Sequence, residues 1–132
     1  MTDKVTFNRI HTDARGDIFQ ALLLPDNQEL MLLFCKKGYL RGGHSHNCDE
    51  MVIMLKGKMR YHKWVDGAEV ITDIESDQVS YNPAGVPHMG EFLEDSWVLD
   101  WKLGGAQAGG FVTTDFETFR KLVRESISGK VS

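Results

Sequence analysis

The feature that most constrains this chain is a series of short β-type runs separated by turn-forming residues. Gly, Pro, Asp and Asn mark the turns, most clearly at Asp66-Gly67 and at residues 25–27. The predicted strands are residues 5–10, 17–24, 29–35, 50–56, 58–65, 69–72, 87–92 and 96–103. This pattern in a chain of 132 residues predicts an all-β barrel or sandwich. We expect one domain over residues 1–132, with the barrel over about 5–103.

The end of the chain has a different pattern. After a glycine-rich stretch at 104–110 we predict one C-terminal α-helix over about 114–128. Thr114 and Glu117 have capping-box spacing, and Gly129 suits the end of a helix. One apolar stripe is formed by Phe116, Phe119, Leu122, Val123 and Ile127. The stripe predicts a helix that packs on the barrel or on a second subunit.

The aromatic residues of the later strands are candidates for a ligand pocket. In the strand at 96–103, the set Trp97, Leu99, Trp101 and Leu103 alternates with Val98, Asp100 and Lys102, which predicts that the aromatic set faces inward. If the strand after Gly57 alternates in the usual way, Tyr61 faces inward as well. Tyr61 with Trp97 or Trp101 would then form an aromatic wall around a small organic ligand. Core packing is the alternative role for these rings.

Charge and cysteine content exclude several classes of protein. The formal net charge is −4 and the basic residues are scattered, which argues against nucleic acid as a partner. No apolar run reaches the length of a membrane span, and the N-terminus lacks a signal-peptide pattern, so we expect a cytoplasmic protein with no membrane partner. Two cysteines, Cys35 and Cys48, are too few for a disulfide framework.

Three histidines and one glutamate carry the clearest chemical signal. His44 and His46 are two residues apart, so both imidazoles leave the same face of an extended strand. Glu50 has the same parity, and His88 follows a Pro/Gly turn far downstream. Three imidazoles and a carboxylate form a mixed nitrogen and oxygen ligand set that fills four positions of an octahedral ion. The two open positions are typical of a reactive site.

These residues carry a resemblance to the cupins. The stretch from Gly38 to Gly57 matches the first cupin motif, G-x5-H-x-H-x3-E-x6-G, at every fixed position. The second motif, G-x5-P-x-G-x2-H-x3-N, is matched at Pro83, Gly85 and His88. This sequence has Asp77 and Phe92 where that motif has its first glycine and its asparagine.

The resemblance implies a double-stranded β-helix, the cupin jelly-roll barrel, with a metal ion in its lumen. The ligands would be His44, His46, Glu50 and His88, holding one divalent ion: Fe(II), Mn, Ni, Co, Cu or Zn. Ligand type does not select among these ions. The resemblance also implies a homodimer. The expected activity is that of a metal-dependent enzyme on a small oxygenated metabolite, either by Lewis-acid isomerase or lyase chemistry or as a dioxygenase.

A weaker resemblance offers an alternative. Residues 13–17, DARGD, are similar to the D-x-R-G segment of cupin sugar-nucleotide epimerases and ketoisomerases, and residues 41–46 and 115–119 are similar to two other segments of those enzymes. That resemblance implies a metal-free enzyme in which His44 and His46 are acid and base, with Arg41 near the substrate. The third alternative is a non-catalytic barrel that binds a small ligand.

Overall fold

The structure is a computed structural model that describes residues 5–23, 28–103 and 112–131, with the side chains of the C-terminal helix described as far as residue 127. The described residues form the strands β1 (Asn8–Asp13), β2 (Gly16–Leu23), β3 (Gln28–Cys35), β4 (Leu40–His46), β5 (Glu50–Lys56), β6 (Lys58–Val65), β7 (Ala68–Glu75), β8 (Val79–Asn82), β9 (His88–Phe92), β10 (Ser96–Lys102) and β11 (Thr113–Asp115), and the helix α1 (Glu117–Val131).

The strands form two antiparallel sheets that face each other. One sheet has the order β1-β2-β3-β10-β5-β8, and the other has the order β11-β4-β9-β6-β7. Sequence neighbours β4 and β5 therefore lie in different sheets, which is the connection pattern of a jelly roll. The prediction of an all-β double-sheet barrel with one C-terminal helix is confirmed.

One predicted hairpin has the expected turn. Asp66 and Gly67 have φ angles of 50° and 77°, and the flanking residues Val65 and Ala68 pair across the hairpin. Two successive positive φ angles are typical of a type I′ turn, whose twist matches that of the strands. The predicted turn at 25–27 and the glycine-rich stretch at 104–110 lie outside the described residues.

Apolar side chains pack in two layers. The inner cluster lies between the sheets and contains Cys35, Val52, Met54, Met59, Tyr61, Ile74, Phe92 and Val98. In the outer cluster Phe119 and Val123 of α1 are buried with Met89 of β9. The predicted helix stripe therefore packs on the five-stranded sheet, although Leu122 is exposed. In the part of the chain that the structure describes, no helix has the length and apolarity to cross a membrane.

The structure corrects the predicted ends of the barrel and the helix. Residues 113–115, where the helix was predicted to start, instead form β11 and pair with His44 to His46 of β4. Helix α1 begins at Glu117 and continues to Val131, beyond the predicted stop at Gly129. Pairing with the open edge of β4 satisfies the backbone of 113–115, and a local capping signal contains no information about that distant partner.

Two further strands, β4 and β8, were not predicted. Strand β4 has the sequence LRGGHSH, and β8 has the sequence VSYN. Neither contains an apolar alternation, because the inward positions hold polar side chains such as His44, His46 and Asn82. A period-2 hydrophobic signal is absent from a strand whose buried face is a functional site.

The predicted facing of β10 is wrong. Val98, Asp100 and Lys102 line the cavity between the sheets, whereas Trp97 is 36 % exposed on the other side. The Trp97 ring lies 5.0 Å from that of its cross-strand partner Phe34. Alternation gives the period of a strand but not which set of residues faces inward, and here the aromatic rings pack on each other outside the barrel.

Candidate metal centre

A cavity of about 390 Å³ lies between the two sheets. Its walls include all four side chains that the sequence singled out, namely His44, His46, Glu50 and His88. Tyr61 and Arg41 also line this cavity, whereas Trp97 and Trp101 do not. The predicted aromatic wall therefore contains only Tyr61 of its three proposed members.

The three histidines converge at one point of the cavity. One nitrogen from each of His44, His46 and His88 lies within 4.8 Å of the others. The Glu50 carboxylate reaches two of them, with Oε2 at 3.6 Å from His46 Nε2 and Oε1 at 3.5 Å from His88 Nε2. Residues from β4, β5 and β9, in both sheets, thus lie around the same part of the cavity.

An irregularity in β4 places the first histidine. The pairing of β4 with β9 shifts between Gly42 and His44, and Gly42 and Gly43 have φ angles of 107° and 91°. Such angles favour glycine, and an added Cβ at Gly42 would lie 2.7 Å from the His88 carbonyl oxygen. The extra residue lets Arg41 and His44, three positions apart, face the same cavity.

Hydrogen bonds to the outer ring nitrogens orient two of the imidazoles. His88 Nδ1 lies 3.2 Å from the carbonyl oxygen of Val86, which can only accept, so Nδ1 is the protonated nitrogen. The lone pair of His88 Nε2 is then directed at the cavity. His46 Nδ1 lies 3.0 Å from Thr113 Oγ1 of β11. Partners of this kind fix the orientation of histidine ligands at metal sites.

Glu50 is held by a polar network of its own. Asn82 Nδ2 donates to Glu50 Oε1 at 3.1 Å and to Tyr61 Oη at 2.7 Å. Lys102 Nζ lies 3.3 Å from Glu50 Oε2. Burial opposes ionisation of the carboxyl group, but the charge of Lys102 and the hydrogen bond from Asn82 lower the pKa of Glu50 below its usual value. Glu50 is therefore an oriented carboxylate.

Burial also keeps the imidazoles neutral. It lowers the pKa of His44 to about 4, with His88 and His46 adding to the effect, and it lowers the pKa of His46 to about 4. The pKa of His88 is lowered by burial as well. Neutral imidazole is the form that coordinates metal ions, so all three rings are available as ligands at neutral pH.

This donor set fits a divalent transition metal. Adjacent ligands of such an ion, at bond lengths of about 2.1 Å, lie roughly 3.0–3.4 Å apart. The Glu50-to-histidine separations of 3.5 and 3.6 Å are close to that range. Imidazole nitrogen with one carboxylate oxygen suits Fe, Mn, Co, Ni, Cu and Zn, and excludes none of them.

Several polar residues of the cavity were not found from the sequence. Asp100 and Lys102 line it, and burial, with the charge of Glu50 adding, raises the pKa of Asp100 to about 8. Asp100 and Lys102 lie on the same face of β10 as Val98, so a correct prediction of the inward face would have identified them. Asn82 occupies a variable position of the second motif, directly before Pro83, and Thr113 lies far from every motif residue in sequence.

Comparison with known proteins places the fold. No protein-family model matches the sequence, and no curated protein is significantly similar to it. CapF of Staphylococcus aureus, a capsular polysaccharide assembling protein, superposes with a TM-score of 0.68 at 20% identity, over 87% of this chain and 32% of that one. Oxalate decarboxylase of Bacillus subtilis superposes with a TM-score of 0.71 at 22% identity, over 83% of this chain and 30% of that one.

The two sheets, the histidine cluster between them and these similarities define the class: the chain is a cupin-fold protein. It spans about a third of the length of the proteins that it superposes on. Another structure of the Bacillus subtilis oxalate decarboxylase, with a TM-score of 0.68 at 22% identity, is described as containing Mn(II) centres.

Proposed function

We propose that this protein binds one divalent transition metal ion on His44, His46, Glu50 and His88 and acts as a metal-dependent enzyme on a small oxygenated metabolite. The observation that carries the proposal is the convergence of three neutral imidazoles and one oriented carboxylate in one cavity between the sheets. When bound, such an ion polarises a carbonyl or hydroxyl oxygen of a ligand. The Mn(II) centres of a protein with the same fold agree with this ion class.

The residues around the ligands support a reaction chamber rather than a structural site. Four protein ligands leave open positions on a six-coordinate ion, and the cavity of about 390 Å³ provides room beside them. Met59, Phe92 and Val98 form an apolar wall, which excludes water from a bound ligand. Tyr61 keeps its proton, because burial raises the pKa of its hydroxyl well above 10, and can donate a hydrogen bond to a ligand oxygen.

Metal-free acid and base catalysis by His44 and His46 is less well supported. A catalytic base works best when its pKa is near the operating pH. Burial lowers the pKa of both groups to about 4, so each imidazole is a weak base in this cavity. A metal-free isomerase is therefore the second candidate, and activity that survives complete removal of metal would support it.

Metal analysis tests the proposal most directly. We expect tag-free protein, as purified or after loading with Mn²⁺, Fe²⁺ or Zn²⁺, to contain one ion per chain by mass spectrometry of the element. The double variant His46→Ala, Glu50→Ala should contain none. The matched control is His11→Ala, because His11 is an exposed histidine of β1 whose side chain does not line the cavity.

The same samples separate the candidate reactions. Absence of metal under every loading condition would contradict the metal centre. Oxygen consumption that needs iron would indicate dioxygenase chemistry, whereas turnover with several redox-inert ions would indicate Lewis-acid chemistry. We also propose that the chain forms a homodimer, which light scattering measures independently of metal content.

A further inference from the structure

Arg41 is a buried cation whose surroundings leave part of its charge unmatched. Its side chain lines the cavity and is only 10 % exposed. Among the residues that the structure describes, neither Nε nor Nη2 of Arg41 has a hydrogen-bond partner. A buried donor without a partner costs free energy, and the cost is larger when the group is charged. Burial of Arg41 in this state therefore calls for an explanation.

The carboxylate beside Arg41 is already engaged by other donors. Asp13 Oδ2 accepts from Arg15 Nη2 at 2.7 Å and lies 2.9 Å from His11 Nε2, and its Oδ1 accepts from the backbone N of Arg15 at 2.8 Å. Arg41 Nη2 is 3.6 Å from Asp13 Oδ1, which is beyond hydrogen-bond distance. Asp13 thus pairs closely with Arg15 and forms only a longer ion pair with Arg41.

The position of Arg41 suits a ligand that also reaches the histidine cluster. The irregularity at Gly42 and Gly43 directs Arg41 and His44 into the same cavity from one strand. Opposite Arg41 on β9 is Gly90, where an added Cβ would lie 2.6 Å from Met59 Sδ. The absence of a side chain at Gly90 leaves room for the Met59 side chain, which forms part of the cavity wall.

We propose that Arg41 anchors a carboxylate-binding subsite of this cavity, so that the ligand is a small organic acid. Its carboxylate forms an ion pair with Arg41, and a second oxygen function faces His44, His46 and His88. A planar guanidinium matches the two oxygens of a carboxylate, and in a cavity of low polarity the pair is strong. A volume of about 390 Å³ accommodates an acid of a few carbon atoms. This inference rests on the proposed metal centre.

Calorimetric titration of the full chain, Mn²⁺-loaded and metal-free, tests the subsite. The probes are malate, its uncharged diamide and uridine diphosphate. We expect malate to bind and the diamide to fail, and Arg41→Met to weaken malate binding about tenfold or more. Arg60→Met is the matched control, because Arg60 pairs with Asp73 at 2.9 Å on the opposite face of the sheet. That variant should bind malate as the unchanged protein does.

Thermal unfolding of the metal-free variants separates a binding role from a structural one. Removal of a buried charge that has only a long ion pair should leave the midpoint of Arg41→Met unchanged or higher, whereas loss of a strong structural ion pair would lower it. If Arg41→Met does not fold, Arg41→Lys is used instead. This variant keeps the positive charge but lacks the planar pair of N–H donors, and it should weaken malate binding by a smaller factor. Equal binding of malate and its diamide, or malate binding unchanged in both Arg41 variants, overturns the proposal.

Two further outcomes distinguish this inference from the metal centre. If uridine diphosphate binds more tightly than malate and depends on Arg41, the subsite takes phosphate, and the carboxylate proposal is wrong. If Mn²⁺ does not bind but malate binds the metal-free chain through Arg41, the metal centre fails and the subsite stands. If Mn²⁺ binds but malate binding does not depend on Arg41, the metal centre stands and the carboxylate subsite fails.

Discussion

The two faces of the five-stranded sheet hold histidines with opposite surroundings. His88 of β9 faces the cavity, whereas His62 of the adjacent strand β6 lies on the other face and is 0 % exposed. His62 Nδ1 lies 2.7 Å from Glu69 Oε1, and Nε2 lies 3.4 Å from Glu91 Oε2. His88 instead has one nitrogen on a backbone carbonyl and the other directed at the cavity.

The difference shows that burial alone does not make a histidine a ligand. Both nitrogens of His62 face carboxylates of its own sheet, so the ring has no lone pair directed at a shared space. His88 Nε2, by contrast, faces the cavity at 3.5 Å from Glu50 Oε1, because the Val86 carbonyl engages only the other nitrogen. His62 and His88 are both buried histidines, so the face of the sheet on which each ring lies determines its chemistry.

Exchange of each ring for glutamine gives the largest expected effect in this comparison. In metal-free protein, His62→Gln should lower the free energy of unfolding by about 2 kcal/mol, because two carboxylates lose a charge-assisted partner. His88→Gln should lower it by less than half as much and should abolish stoichiometric metal binding. Urea unfolding and metal analysis of both variants measure these effects. Similar losses of stability in both variants, with metal retained in both, would remove the distinction between the faces.

A smaller effect is expected from the hydroxyl that orients His46. Thr113→Val keeps the shape of the side chain but removes the partner of His46 Nδ1. Loss of such an outer partner weakens metal binding about tenfold. Competition with a chelator of known affinity measures the change, and Thr114→Val is the control because Thr114 is the next residue of the same strand. If both variants bind metal equally well, Thr113 has no part in orienting the ligand.

The smallest effect concerns the pH dependence of stability. The pKa of His44 is lowered from 6.5 to about 4 in the folded protein by burial, so below pH 6.5 the unfolded state binds a proton that the folded state does not. Proton uptake by the unfolded state therefore lowers the free energy of unfolding, and this loss grows as the pH falls from about 7 to 4. His44→Gln lacks it, and relative to the unchanged metal-free protein it should gain about 1 kcal/mol between pH 7.5 and about 5.8.

Thermal or urea unfolding at both pH values checks this expectation. The control is His11→Gln, since His11 is an exposed histidine outside the cavity. Parallel stability curves for His44→Gln and the unchanged protein would show that His44 titrates normally in the fold, and the neutral state of the histidine cluster would then need another cause.

Much of the fold could be predicted because its signals are local. The β-type runs and the Asp66-Gly67 turn depend on neighbours in sequence, and most predicted strands lie within two or three residues of the observed ones. Strands β4, β8 and β11 were missed for the opposite reason. Their inward positions are polar or their partner is distant, so no hydrophobic period marks them.

The candidate site divides in the same way. His44, His46, Glu50 and His88 were found from spacing, and the structure brings the four together. The aromatic wall was wrong for Trp97 and Trp101, because alternation cannot tell the inner face of a strand from the outer one. Asn82, Asp100, Lys102 and Thr113 were not found, since each reaches the site through strand pairing between distant segments.

By itself, the sequence determined an all-β barrel and the identity of four converging polar side chains. Both follow from short-range periodicity and motif spacing, which the chain carries in consecutive residues. Only the tertiary structure decided which face of β10 lines the cavity, that β11 supplies Thr113 to His46, and that the irregularity at residues 42–43 directs Arg41 inward. These features depend on the register between distant strands. That register is selected by which face of each strand is buried and by which strands are available to pair with it.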